Sequence, residues 1–261
     1  MTQFVISGTG LFIPPHSISN EELVDAFNQY VEKFNQQNAD KIEAGEVEAL
    51  AGSSPEFIEK ASGIKSRYAM YKDGIINPDI MHPVFPMTGE GKTPEMVSMG
   101  IAAAKQAMEE AGKTAEDIDL IICATVTPDH IFPATANIIS RDVGAVNAFS
   151  FDIGAACSGF LYALSTGAQF IESGRYKKVI IVGADKMSSI IDYTDRSTCI
   201  IFGDGAGAVV LQPAKEEKQG ILSTHLHSNG KYAEELAFIN PGAHGGVHAK
   251  NEEEFERFGY T

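Results

Sequence analysis

Cys157 lies in Asp152-Ile153-Gly154-Ala155-Ala156-Cys157-Ser158-Gly159-Phe160, where a strand-like apolar run, Ala148-Phe149-Ser150-Phe151, gives way to small residues and then to helical spacing over 161–171. A thiol at such a corner stands near the positive end of the helix, whose free N–H groups and dipole favour a thiolate, the nucleophilic form of cysteine. A free cysteine is commonly an inert core hydrophobe. Cys123 and Cys199, inside Leu120-Ile121-Ile122-Cys123-Ala124 and Cys199-Ile200-Ile201-Phe202, read that way. At Cys157 the flanks point elsewhere: Gly154 and Gly159 permit a tight turn and close backbone approach, and Ala155, Ala156 and Ser158 leave room around the sulfur.

A second long motif follows at a distance, Asp192-Tyr193-Thr194-Asp195-Arg196-Ser197-Thr198-Cys199-Ile200-Ile201-Phe202-Gly203-Asp204-Gly205-Ala206-Gly207-Ala208. Together with the Ala-Ala-Cys-Ser-Gly-Phe corner it resembles 3-oxoacyl-[acyl carrier protein] synthase III, the thiolase-fold condensing enzymes that begin fatty acid synthesis. The resemblance runs from Ile6-Ser7-Gly8-Thr9-Gly10 to Thr224-His225-Leu226-His227-Ser228-Asn229-Gly230 and is interrupted by extra sequence. It implies an α/β thiolase-like layered fold: an N-terminal half-domain over 1–228, with a mixed, mostly parallel sheet covered by helices and an insertion at about 35–95, and over 229–261 the start of a link to a second half-domain.

The resemblance also implies the chemistry. Cys157 attacks the thioester of an acyl-CoA primer, and malonyl-acyl carrier protein is the second substrate; acyl-CoA is consumed, so no cofactor is expected. A cytoplasmic homodimer is the expected form. Phe57 falls where the family often places a tryptophan against the CoA adenine, Arg196 where an arginine covers the other face, and Phe132 where a residue reaches across the dimer to shape the partner's acyl pocket. The family's histidine and asparagine motifs are missing from this sequence, so it is expected to be a fragment of a longer condensing enzyme. Two further readings remain open at this point, a related condensing enzyme making another acyl product and a noncatalytic thiolase-fold interaction subunit.

Composition bounds the alternatives. Three cysteines in 261 residues fit a reducing compartment without a disulfide framework, and the start of the chain carries no secretory pattern. No stretch approaches the roughly 20 apolar residues of a membrane span. A net charge of −15 argues against a nucleic-acid surface and would repel an acidic carrier protein. Docking would therefore fall to a local basic patch, either Lys60, Lys65 and Arg67 or Arg175, Lys177 and Lys178.

The elements that must hold Cys157 alternate between strand and helix. Residues 4–6 read as a first strand, and Ser19 with Glu22 as a capping box opening a helix. The segment 35–95 is polar, acidic and broken by Pro78, Pro83, Pro86 and Pro94, and reads as an excursion over the substrate entrance, along an interface, or without function. Thr93-Pro94-Glu95 opens a helix that stops at Gly112; strands at 120–126, 149–152 and 178–183 alternate with helices at 134–141 and after Cys157. Residues 198–202, 208–211 and 221–226 read as further strands.

Other constellations are weak. Gly203 to Ala208 lacks the spacing of a dinucleotide fingerprint and reads as a link between two strands packed closely on neighbouring backbone. No Cys/His cluster has metal-ligand spacing, so no metal site is expected. His225 and His227 alternate as on one exposed face of a strand, His244 and His248 sit in a Gly-rich segment, and His16 and His82 adjoin prolines; none replaces the missing histidine.

Overall fold

In a computed structural model of the 261-residue chain, residues 4–86, 93–216, 220–233 and 235 are described. The chain divides into two units, Met1–Ser223 and Thr224–Thr261, and every strand and α-helix described here belongs to the first. Its elements run β1 (Phe4–Phe12), β2 (His16–Ser19), α1 (Asn20–Gln37), α2 (Ala39–Glu43), α3 (Pro55–Ser62), β3 (Ser66–Ala69), α4 (Glu95–Glu110), β4 (Leu120–Ala124), α5 (Thr135–Val143), β5 (Phe149–Ile153), α6 (Gly159–Glu172), β6 (Val179–Lys186) and β7 (Asp204–Pro213).

Five strands form one mixed sheet in the order β1-β7-β6-β4-β5, with β4 parallel to both β5 and β6, and β7 antiparallel to β6 and to β1. The period-two geometry of β4 explains its continuous apolar run. Ile121 and Cys123 face a core built with α4 and α5, while Leu120, Ile122 and Ala124 face the core built with α6. The helices therefore lie on both faces, and the fold class is α/β.

Local sequence accounts for the boundaries. Ser19 and Glu22 form the reciprocal capping box that starts α1, and Gly112, at φ 61°, follows the end of α4 in the left-handed region open to glycine. The first strand runs on through Gly8 and Gly10 to Phe12, because a Cβ at Gly10 would stand 1.9 Å from the Ala103 carbonyl oxygen of α4. Only a glycine lets the strand lie that close to the helix.

The excursion is more ordered than its composition suggests. Within it α3 and β3 join β2 and α1 around a separate core of Ile18, Leu23, Phe27, Ile58 and Ile75, completed from far along the chain by Tyr193, Cys199 and Ile200. Arg67 is the main departure from expectation. Instead of contributing to a basic surface patch it is 4% exposed, and it donates to the Ile18, Ser19 and Ile200 carbonyls and to Asn20 Oδ1.

Three other expectations are corrected. Residues 198–202 form a turn, because the Asp195 carbonyl accepts from the Thr198 and Cys199 amides while its carboxylate holds Ser197 and the Thr198 hydroxyl. The Gly-rich 203–208 stretch links no pair of strands but opens β7; close packing applies at Gly203, where a Cβ would meet the Tyr68 carbonyl oxygen at 2.8 Å. Residues 221–226 form no strand, so His225 and His227 do not share a strand face. His244 and His248 lie outside the described residues.

Candidate active site

Because β4, β5 and β6 run parallel, the loops that follow them emerge at one end of the sheet, the end where open α/β sheets hold ligands. Cys157 follows β5, the segment bearing Phe132 follows β4, and the segment bearing Arg196 follows β6. Three of the four residues singled out in the sequence thus lie on segments that leave the sheet at the same edge of its parallel strands.

The chain leaves β5 at Ile153 and makes a 3-10 turn, Ala156–Ser158, before α6 begins at Gly159. Ser158 N–H donates to the Ala155 carbonyl at 3.1 Å, and Gly159 N–H to that of Ala156. The backbone conformation that makes the corner falls on Ala156, at φ 45°, rather than on the flanking glycines. A Cβ at Gly154 would meet nothing within 4 Å; at Gly159 it would meet Ala124 Cβ at 3.2 Å. Left-handed backbone at a non-glycine residue costs of the order of 1 kcal/mol and is characteristic of functional corners. Its effect is to hold Cys157 exposed, two residues ahead of the positive end of a 14-residue helix.

The other two thiols are buried. Burial, reinforced by Asp152 and Asp185, pushes Cys123 well above the ordinary thiol value. Burial and then Asp195 push Cys199 up to about 12. Both fill core, as their apolar surroundings predict.

Carboxylates fix the corner and its neighbouring loops. Asp152, on β5, accepts from the Thr135 and Ala136 amides at 2.7 and 2.8 Å and so ties the strand to the N-terminus of α5. Asp185, at the end of β6, accepts from the Val126 and Thr127 amides and from the hydroxyls of Thr125 and Thr127. Beside it Lys186 pairs with Glu95 at 3.2 Å and Asp129 at 3.7 Å, and Tyr71 donates to Glu95. Sequence reasoning missed this clamp. An aspartate ending an apolar strand was the available signal for Asp152 and Asp185, whereas Lys186, Glu95 and Asp129 meet only in three dimensions.

Above the clamped base of its loop Phe132 stands 83% exposed beside Ile131, 80% exposed. Phe57, on α3 and 42% exposed, carries the Arg196 guanidinium over its ring at 4.8 Å, and Arg196 Nη1 also donates to the Gly52 carbonyl at 2.8 Å. The two residues expected to flank one adenine thus touch each other directly. Of the basic patches, Lys65 pairs with Glu59 and Lys178 with Asp117. Among the described residues no group of three or more His, Cys, Asp or Glu side chains could hold a metal ion, and no helix is long and apolar enough to cross a membrane.

Residues 151–230, which contain the cysteine corner, match the model of the family described as 3-Oxoacyl-[acyl-carrier-protein (ACP)] synthase III. A Beta-ketoacyl-[acyl-carrier-protein] synthase III of Sulfurovum sp. is 44% identical over 199 residues, 76% of this chain and 53% of that protein. Beta-ketoacyl-[acyl-carrier-protein] synthase III 1 of Bacteroides thetaiotaomicron is 40% identical over 243 residues, 93% of this chain and 58% of that protein. Among solved structures, 3-oxoacyl-[acyl-carrier-protein] synthase III from Aquifex aeolicus VF5 aligns with a TM-score of 0.62 at 34% identity, covering 83% of this chain and 55% of that one. The corresponding synthase III from Pseudomonas aeruginosa PAO1 aligns with a TM-score of 0.70 at 28% identity, covering 91% and 61%. In motif, in sequence and in fold the chain resembles the 3-oxoacyl-[acyl-carrier-protein] synthase III family, and it spans little more than half the length of the curated relatives it matches.

Proposed function

We propose that the protein is a condensing acyltransferase of fatty acid biosynthesis in which Cys157 carries the acyl group. The observation that carries this reading is the exposed sulfur, held by left-handed Ala156 at the start of α6 inside the segment that matches the family. The thiolate attacks the acyl-CoA carbonyl, an S–C bond forms, and CoA leaves as its thiolate and takes up a proton. Malonyl-acyl carrier protein then loses carbon dioxide, and the resulting enolate carbon attacks the acyl-cysteine. A C–C bond forms, the C–S bond breaks, and the Cys157 thiolate is regenerated.

The oxygen of each tetrahedral intermediate needs fixed donors, and one such donor is worth about 3 to 4 kcal/mol of activation free energy. The Ser158 and Gly159 amides are engaged in the turn, and the Cys157 N–H is one donor this corner offers. CoA binds with its adenine between Phe57 and Arg196, which requires Arg196 to swing off the ring it covers. Phe132 shapes an acyl pocket across a homodimer, in keeping with its exposure at the tip of an anchored loop. Residues 1–228 form the nucleophile-bearing half-domain of a cytoplasmic enzyme, with the excursion at about 35–95 as its insertion. Residues 229–261 begin the link to a second half-domain, to which we assign the histidine and asparagine of condensation.

Incubation with acyl-CoA followed by intact-mass measurement tests this reading. One acyl adduct per chain, lost in Cys157→Ser, is expected; an adduct that survives the substitution overturns it.

A further inference from the structure

At the edge of the α1 core, beside its member Met81, lies a half-enclosed hollow of about 200 Å³, lined by Tyr30, Lys33, Phe34, Asp79, Met81 and Thr194 among others. It involves none of the residues assigned above to the acyl transfer. We propose that this hollow binds a small monocarboxylate with a short hydrocarbon body, its carboxylate on Lys33 and its chain against the rings of Tyr30 and Phe34.

Four observations support the assignment. The apolar part of the wall is two aromatic rings 6.2 Å apart, Ile80 and the buried Met81, with Gln37 and Thr194 as polar neighbours. Against them stands one cation, Lys33, paired at 2.6 Å with Asp79, whose side chain is 72% exposed. An exposed pair of this kind is weak, so an incoming carboxylate displaces Asp79 at small cost and keeps the charge of Lys33 matched. The wall is also strained: Met81 is held at φ 51° by the turn in which its amide and that of Ile80 donate to the Asn77 carbonyl. Left-handed backbone at a bulky residue is concentrated at ligand clamps and active sites.

Size and charge narrow the ligand. The volume is below the roughly 300–1,000 Å³ of sites for drug-sized molecules, which suits a body of a few methylenes. A single lysine in a chain of net charge −15 favours one negative charge over several.

Hexanoate titrated into the protein by ligand-observed NMR tests the proposal. Saturable one-to-one binding is expected, weakened severalfold in Lys33→Met and tightened severalfold in Asp79→Asn, where the internal competitor is gone. Both side chains are exposed enough that neither variant threatens the fold. Cys157→Ser is expected to bind as the unmodified chain does, which keeps the outcome separate from that of the acyl-transfer reading. Absence of saturable binding, equal binding in Lys33→Met, or loss of binding in Cys157→Ser overturns the proposal.

Discussion

Replacing Arg67 with methionine keeps the aliphatic stem and removes the guanidinium fork from a site 4% exposed. Four acceptors lose a partner: Asn20 Oδ1 at 2.6 Å, the Ile18 and Ser19 carbonyls at 3.2 Å and the Ile200 carbonyl at 3.4 Å. Each buried neutral acceptor left unsatisfied costs about 1–3 kcal/mol, and relaxation around the methionine keeps the sum at about 4 kcal/mol. One term runs the other way, since Nε of Arg67 is itself buried without a partner and its removal returns about 1 kcal/mol. Burial also holds the guanidinium below its ordinary pKa, so the charge is carried at some cost even in the native chain. The net expectation is a loss of about 3 kcal/mol, or roughly 6–12 °C in Tm at the 2–4 °C per kcal/mol of a chain this size. Denaturant unfolding followed by circular dichroism measures it, with Lys60→Met, at an exposed lysine, as the control expected to stay within about 0.5 kcal/mol. A loss below about 1 kcal/mol for Arg67→Met would show that Arg67 does not tie the ladder of β2 and β3 to the 192–202 segment.

Three further outcomes follow from the same coordinates. Gly10→Ala places a Cβ 1.9 Å from the Ala103 carbonyl oxygen, and with helix backbone unable to retreat the cost is expected to reach about 3 kcal/mol, read as lost soluble yield and a lowered unfolding midpoint. Ala156→Val puts a β-branched residue at φ 45° and is expected to cost more than about 1 kcal/mol and to slow modification of Cys157 by iodoacetamide in the folded protein; an unchanged rate would mean that the corner does not set the sulfur's position. Burial and then Glu95 push Tyr71 up from 10.0 to about 12, so its neutral form is favoured in the fold. Stability from this group is complete below pH 10 and is lost as pH rises towards 12, a loss that Tyr71→Phe removes in alkaline unfolding curves.

Much of the layout was legible because short-range chemistry dictates it. Ser19 and Glu22 announce the start of α1 three residues apart, Gly112 ends α4, and small residues between an apolar strand and a helix mark the Cys157 corner. The misreadings share a cause. Cys199-Ile200-Ile201 has strand composition, but Asp195, a few residues earlier, holds the Cys199 amide and the amide and hydroxyl of Thr198 in a turn. Arg67 reads as surface charge because the carbonyls that bury it come from residues 18, 19 and 200, which only the tertiary fold assembles. The β2–β3 ladder, pairing His16–Ser19 with Ser66–Ala69 across the excursion, is silent in sequence for the same reason. At the candidate site the residue types were legible and the contacts were not: Phe57 and Arg196 were each singled out, and their direct stacking is visible only in the structure.

Acyl transfer by this chain requires a reachable sulfur that accepts an acyl group. Proteolytic mapping of the chain after brief exposure to acyl-CoA tests that most directly, with the thioester located by tandem mass spectrometry and removed by neutral hydroxylamine. A hydroxylamine-labile acyl group is expected on the peptide containing Cys157, and none on the peptides of Cys123 or Cys199. A label spread over the three thiols in proportion to unfolding, or found only on lysines, would contradict it.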